Sequence, residues 1–409
     1  MTLQSPAVFL LLSAALIVLS ARWAKRGLAG WFLVLSVGFV ALQYKSSPRW
    51  LLLPATALLV HYATLQWMLR LKSRPARVGL YWVWLLGTLS GFVLVKQYFW
   101  ITDIFVPRDF LASSLITIGI SFMLFRQIHL AIEVRDELVT SVRVVDYLNY
   151  NLAFWTFLAG PVQRFDSFCK QFRKITAPDG IVPNREVLLG LNRAMFGFIK
   201  MFVVGPAIEN LNSWLPSLNH GVWHGVASFL TFPAHLYINF SGYCDIMLGL
   251  AQAVGFQLPE NFRHPYLARN PLDYWRRWNI TVTEFFRDYL YFPFYTLMGR
   301  RIPIVLSMIV AALFSFTVMG AWHGNSLRFV IFGVVHGLGV GVLILYETVL
   351  KKLLTKEQLN RYGRNPLIHV AAVVCFQTFN LLSFLPFQYE VDQLRSMIHS
   401  AARVMAGMG

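Results

Sequence analysis

Two short stretches of this 409-residue chain carry side chains suited to chemistry. The first is Gly320-Ala321-Trp322-His323-Gly324-Asn325, which ends the apolar run Ile302–Met319 and precedes another apolar run. Glycines on both sides of a histidine break a helix and let backbone or substrate approach closely. An imidazole titrates near neutral pH and can serve there as a general base. From residue type alone, a structural histidine is the competing reading.

The second stretch is DYWRRWNITVTEFFRDYLYFPF, residues 273–294. Read as a helix, Trp275, Asn279, Val282 and Phe286 share one stripe, with Arg276, Arg277, Glu284, Arg287 and Asp288 opposite. An amphipathic interfacial helix predicts that split. It does not predict an amide among aromatics, because an unpaired buried amide costs about 1–3 kcal/mol. Asn279 is therefore either bonded to backbone or aimed into a pocket. Upstream, Asn239, Ser241, Tyr243 and Asp245 interrupt an apolar run. For Asp245 the structural readings are a salt bridge or a helix N-cap.

Other histidines compete for attention. His336 follows His323 by 13 residues, about 220° around one continuous helix, so the two would share no face unless Gly324 breaks it. His220 and His224 stand four apart, a spacing that metals use, but no third ligand accompanies them. VWHG at 222–225 imitates AWHG at 321–324. Cys169, Cys244 and Cys375 are far apart and read as small apolar fillers. No metal site is expected. There is no Gly-x-Ser-x-Gly elbow.

These groups need elements to hold them, and composition says what kind. The chain is 56% hydrophobic and 13% charged. A water-soluble domain needs about 25% charged residues, so lipid must solvate much of the exterior. The net charge of +17 sits between apolar runs, not in one stripe, which argues for cationic loops at lipid headgroups and against nucleic acid.

Spanning helices need about 20 apolar residues. Candidate spans are 7–21, 31–44, 50–69, 79–100, 110–132, 186–204, 225–238, 302–319, 329–350 and 366–385. Residues 147–160 and 273–294 suit re-entrant or in-plane helices buried against protein. The expectation is an all-α polytopic membrane protein of ten or eleven spans. The Arg22–Arg26 cluster follows the first apolar run instead of preceding it, so that run reads as a retained span and not a cleaved signal. Loops rich in Lys and Arg follow spans one, three and five and precede the last. This places them in the cytoplasm and the N-terminus outside. One transmembrane domain is expected over 1–409, with N-terminal helices at 1–110, a core at 111–350 and a C-terminal helix and tail at 351–409.

At these residues the chain resembles the membrane-bound O-acyltransferases, in the bacterial branch that holds alginate O-acetyltransferases and teichoic acid D-alanyltransferases. The resemblance rests on GISFMLFRQI at 119–128, LAGPVQR at 158–164, the long run FSGYCDIMLGLAQAVGFQLPENFRHPYLARNPLDYWRRWN at 240–279, FFRDYLYFP at 285–293 and GAWHGNSLRFVIFGVVHG at 320–337.

The resemblance implies a ring of helices around a thin centre, with funnels from both faces meeting at His323. It maps the family's invariant histidine onto His323 and its second polar position onto Asn279, where this branch usually has histidine. An amide cannot shuttle protons, so Asn279 would orient or polarise a group while His323 does the acid–base work.

The donor would be a cytoplasmic thioester, acyl-CoA or an acyl carrier protein, with no bound cofactor. The acceptor would be an extracytoplasmic hydroxyl on a polysaccharide. Arg164, Arg276, Arg277 and Arg287 are candidates for donor phosphates or an acidic carrier, with lipid anchoring as the alternative. Trp275, Trp278, Tyr243, Asp245, His336 and Gln163 complete the expected binding set. Partners implied are the lipid bilayer, an extracytoplasmic transferase of esterase-like fold, and a carrier protein or polysaccharide synthase. D-alanyl transfer is the alternative activity. A glycan flippase is the non-enzymatic one, and it predicts inverted repeats that the chain lacks.

Overall fold

The computed structural model describes residues 28–44, 48–96, 119–157, 159–177, 182–214, 222–393 and 395. The described residues form helices and contain no β-strand. In order they are α1 (Leu28–Gln43), α2 (Leu52–Arg70), α3 (Arg74–Lys96), α4 (Ile120–Arg135), α5 (Val144–Leu152), α6 (Phe154–Phe157), α7 (Phe165–Thr176), α8 (Asn184–Ile199) and α9 (Gly205–Trp214). There follow α10 (Val222–Ala253), α11 (Pro271–Trp275), α12 (Ile280–Phe286), α13 (Phe292–Met298), α14 (Ile304–His323), α15 (Leu327–Leu353), α16 (Lys356–Arg364), α17 (Pro366–Ser383) and α18 (Leu385–Gln388).

Among the described residues, six helical stretches are long and apolar enough to cross a membrane: Pro48–Arg70, Arg74–Lys96, Asn184–Leu211, Ile304–His323, Leu327–Leu353 and Pro366–Gln388. The expected span 7–21, the segment 97–118 and His220 lie outside the described residues. The expected span 31–44 falls on α1, whose apolar stretch is shorter. The expected span 110–132 is described only from residue 119, where α4 is buried on nearly every side.

The chain divides into two compact units, Met1–Gln97 with Thr102–Phe202 and Phe240–Glu260, and Tyr98–Ile101 with Val203–Asn239 and Asn261–Gly409. In the first unit, α1, α5, α6 and α7 close on an aromatic core. Phe32 lies edge-on to Trp155 with ring centres 4.2 Å apart, and Phe168 stacks on Phe172. The polar 147–160 stretch is buried here as short helices, and internal bonds make that possible. Tyr147 donates to Leu58 O (2.9 Å) and Tyr150 to Gln163 O (2.8 Å). The Arg126 guanidinium donates to Tyr150 O (2.7 Å) and Thr156 Oγ1 (2.9 Å).

Asn239, Ser241, Tyr243 and Asp245 do not interrupt a helix. α10 runs unbroken through them for 32 residues. The reason lies across the interface with α8, where Gly190 meets Gly249 and Gly197 meets Gly242 so closely that a Cβ would collide with backbone. Small residues let two membrane helices approach, and their polar groups then pair sideways. Asp245 accepts from Arg193 (3.0 Å) and Lys200 (2.6 Å), and Arg193 also grips Glu260 with two bonds of 2.7 Å. Asp245 is a salt-bridge partner inside a helix and not an N-cap.

In the second unit, α14 and α15 form a tight hairpin. A Cβ on Gly320 would strike the Phe329 carbonyl and the Gly333 backbone, and one on Gly333 would strike the Phe316 carbonyl. α16 starts with a capping box, in which Thr355 Oγ1 accepts from Gln358 N–H and the Gln358 side chain accepts from Thr355 N–H.

Candidate functional site

The 273–294 stretch is not one helix. α11 ends at Trp275, and α12 starts only after Asn279, which adopts φ 44° and ψ 52°. Asparagine tolerates this left-handed conformation better than other residues with a Cβ, which is the signal the helical reading passed over. The break leaves the apolar stripe in place: Trp275 and Asn279 are each 4% exposed, Val282 1% and Phe286 7%. Arg276, Glu284 and Arg287 are exposed.

The turn is fixed from beside it by Asn261, a residue the sequence did not single out. Its carbonyl accepts Ile280 N–H (3.0 Å), and its Oδ1 accepts Thr281 N–H (3.1 Å) and Thr281 Oγ1–H (2.8 Å). An asparagine before a helix usually caps it through its side chain. Asn279 makes no such bond, and its Oδ1 is enclosed without a hydrogen-bond partner. The amide is held by backbone geometry and is not spent on structure.

His323 ends α14 and is half-buried. Gly324 follows in extended backbone, where a Cβ would strike the Phe329 ring. Beyond it, Ser326 donates to Glu390 (2.9 Å) and Arg328 pairs with the same carboxylate (3.3 Å), which ties the turn down. Aromatic rings surround the imidazole, with Trp322 at 4.7 Å, Phe387 at 5.4 Å and Phe332 at 6.1 Å between ring centres.

The residues flanking Asn279 reach this same cluster. Phe286 lies 6.3 Å from Trp322, Trp275 lies 6.4 Å from Phe332, and Trp278 lies 6.2 Å from Phe384, a neighbour of Phe387. Ring contacts therefore link the aromatic residues on either side of Asn279 to those around His323. Phe384 and Phe387 come from a chain end that carries no motif, so sequence reading missed them.

His336 sits on the far side of Phe332, with ring centres 4.6 Å apart. It is fully buried, and both nitrogens are engaged. Trp275 Nε1–H donates to Nδ1 (3.3 Å), so Nε2 carries the proton and faces Ser383 Oγ (2.9 Å). Ser383 gives its own hydrogen to Asn380 O (2.6 Å). This fixes one neutral tautomer and presents no vacant nitrogen to a substrate. Tyr274 lies parallel to both Trp278 and His336, and burial holds its phenol well above the usual range, so it stays protonated.

Of the expected arginines, Arg277 is engaged by Asp273 (2.7 Å) and Arg287 by Asp288 (2.8 Å), while Arg276 is exposed. Gln163, Arg164, Tyr243 and Asp245 belong to the first unit, and the surroundings of His323 described above are built by the second. His224 falls in α10. Among the described residues no group of three His, Cys, Asp or Glu could hold a metal ion.

Comparison with known proteins gives a consistent result. A family model described as MBOAT, membrane-bound O-acyltransferase family, matches residues 41–385. A protein named "Probable alginate O-acetylase" from Pseudomonas syringae pv. tomato is 30% identical over 242 residues, which is 57% of this chain and 43% of that protein. The teichoic acid D-alanyltransferase of Bacillus subtilis is 28% identical over 243 residues, 58% of this chain and 60% of the relative. That of Streptococcus thermophilus is 28% identical over 305 residues, 69% of this chain and 70% of the relative. The chain thus spans only about half the length of the alginate relative it matches.

Proposed function

The chain belongs to the membrane-bound O-acyltransferase family, and on that premise we propose that it transfers an acetyl group from a cytoplasmic thioester to a hydroxyl of an extracytoplasmic polysaccharide. His323 takes the acceptor's O–H proton as that oxygen attacks the thioester carbonyl. The C–O bond forms, the C–S bond breaks, and the leaving thiolate receives the proton from the imidazolium. Base assistance of this kind is worth roughly 10²–10⁴-fold. Asn279 donates its amide N–H to the developing oxyanion.

The observation that carries this reading is the placement of Asn279, held in a left-handed turn with no side-chain cap bond and flanked by residues that reach the rings around His323.

Arg276, Arg277 and Arg287 hold the phosphates of coenzyme A in this proposal, Arg277 and Arg287 exchanging Asp273 and Asp288 for them. The basic loops face the cytoplasm and the donor arrives there.

A second reading, D-alanyl transfer from a carrier protein, is favoured by the longer alignment to the Streptococcus relative. Vesicles containing the protein, given either labelled acetyl-CoA or labelled D-alanyl carrier protein, distinguish the two. New ester on the extracytoplasmic fraction from acetyl-CoA supports the first. Ester from the carrier alone replaces it with the second. Glycan movement without ester formation would overturn both.

A further inference from the structure

In the first unit, α2, α3 and α4 enclose a groove that the proposed reaction does not use. Each helix contributes one stripe at helical spacing: Leu53, Ala57, Val60 and Thr64 from α2, Leu80 to Val95 from α3, and Ile120, Met123, Leu124 and Gln127 from α4. The cavity measures about 620 Å³, within the range of sites for bound small molecules. Its α3 wall covers 16 residues, a length of about 24 Å at 1.5 Å per residue.

Two glycines hollow out that wall. Gly87 and Gly91 stand four apart on the stripe, and a Cβ on either would meet nothing within 4 Å. At the α8–α10 interface, by contrast, the glycines admit another backbone. Here they leave open space. Glycine also weakens a helix interior, so the cavity comes at a cost to α3.

The lining is not wholly apolar. Gln127 is 2% exposed, and its enclosed Nε2 has the Tyr147 hydroxyl beside it without a hydrogen bond of good geometry, so an amide N–H is left to give. The neighbouring Tyr147 hydroxyl gives its proton to Leu58 O (2.9 Å) and faces His61 Nδ1 (3.0 Å). A buried amide donor therefore ends in an otherwise greasy groove.

The rims of α2 and α3 are exposed apolar residues, among them Leu52, Leu59, Val83 and Leu86. The groove thus opens between surfaces that a membrane-spanning hairpin turns to lipid.

We propose that this groove is a binding site for one membrane glycerolipid, whose acyl chain lies along the Gly87–Gly91 wall and whose ester oxygen accepts from Gln127 Nε2. The occupant is a lipid because the groove is apolar along its length, is set into two membrane spans and is continuous with their lipid-facing rims. A water-soluble ligand would have to cross the hydrocarbon to enter it.

The test uses the full chain in nanodiscs containing phosphatidylglycerol with a diazirine in its acyl chain. Photolabelled positions are mapped by mass spectrometry. Expected is labelling of Met123 and Gln127, which face the groove, above that of Leu367 and Val370, which are simply exposed. Gly87→Leu with Gly91→Leu fills the groove and should cut the Met123 and Gln127 signal at least fivefold while leaving Leu367 unchanged. Gln127→Leu should weaken it by a smaller factor. Groove labelling no higher than at Leu367 in the wild-type chain overturns the proposal, and so does groove labelling that survives in a folded double-leucine variant.

Discussion

Trp275 donates its indole Nε1–H to His336 Nδ1 at 3.3 Å, and the two rings meet edge-to-face with centres 5.1 Å apart. The bond joins α11 to α15 and holds the residue that opens the Asn279 turn. His336 thereby positions the turn through Trp275, while His323, on the other side of Phe332, is the residue assigned to chemistry.

Replacing His336 with phenylalanine should strand the Trp275 indole N–H in a buried place. Loss of a partner for a buried polar group costs about 1–3 kcal/mol. Thermal melting of the purified variant in detergent should fall accordingly, and residual activity should scale with the folded fraction. An unchanged melting temperature would remove His336 from the scaffold.

His323→Ala should lower acyl transfer by roughly 10²–10⁴-fold, the scale of general-base help. The melting temperature should stay near that of the wild type, since the ring is half-buried at a helix end. Full activity in a folded His323→Ala protein would refute the assignment.

Asn279 separates backbone from chemistry. Asn279→Ala forces a Cβ-bearing residue without the asparagine amide into φ 44°, at a cost of about 1–2 kcal/mol in stability. Asn279→Gly fits the turn. If the amide stabilises an oxyanion, Asn279→Gly should keep its melting temperature and still lose roughly 10²-fold in kcat. A fully active glycine variant would reduce Asn279 to a turn former.

The α8–α10 ion cluster predicts a stability effect with no role in the reaction. Arg193→Leu leaves Asp245 with Lys200 alone and frees Glu260, so stability should drop by about 1.5–3 kcal/mol, the scale of hydrogen bonds to charged groups. Arg276→Gln, on an exposed side chain, should leave melting unchanged and raise KM for the thioester donor. Equal KM in wild type and Arg276→Gln would return that arginine to a lipid-anchoring role.

The sequence alone determined the class of protein and the residues worth suspecting. Too few charges to wet a globule force a membrane setting, and a histidine between glycines at the end of an apolar run stands out without any structure. Trp275, Asn279, Val282 and Phe286 are buried as their apolar pattern implied, although two short helices and a turn bury them and not one helix.

Only the tertiary structure decided what each polar group spends its bonds on. Asp245 reads as either a salt-bridge partner or a helix N-cap until Arg193 and Lys200 are seen beside it, 52 and 45 residues away in the chain. His336 is a candidate for the binding set until Ser383 and Trp275 are seen to occupy both nitrogens from 47 and 61 residues away. Asn279 stands out in the sequence as an amide among aromatics, but its left-handed backbone and lack of a side-chain cap bond are seen only in the fold. Hydrophobic periodicity reports burial, a property of one helix face. Hydrogen-bond satisfaction depends on partners that the fold brings together from distant positions.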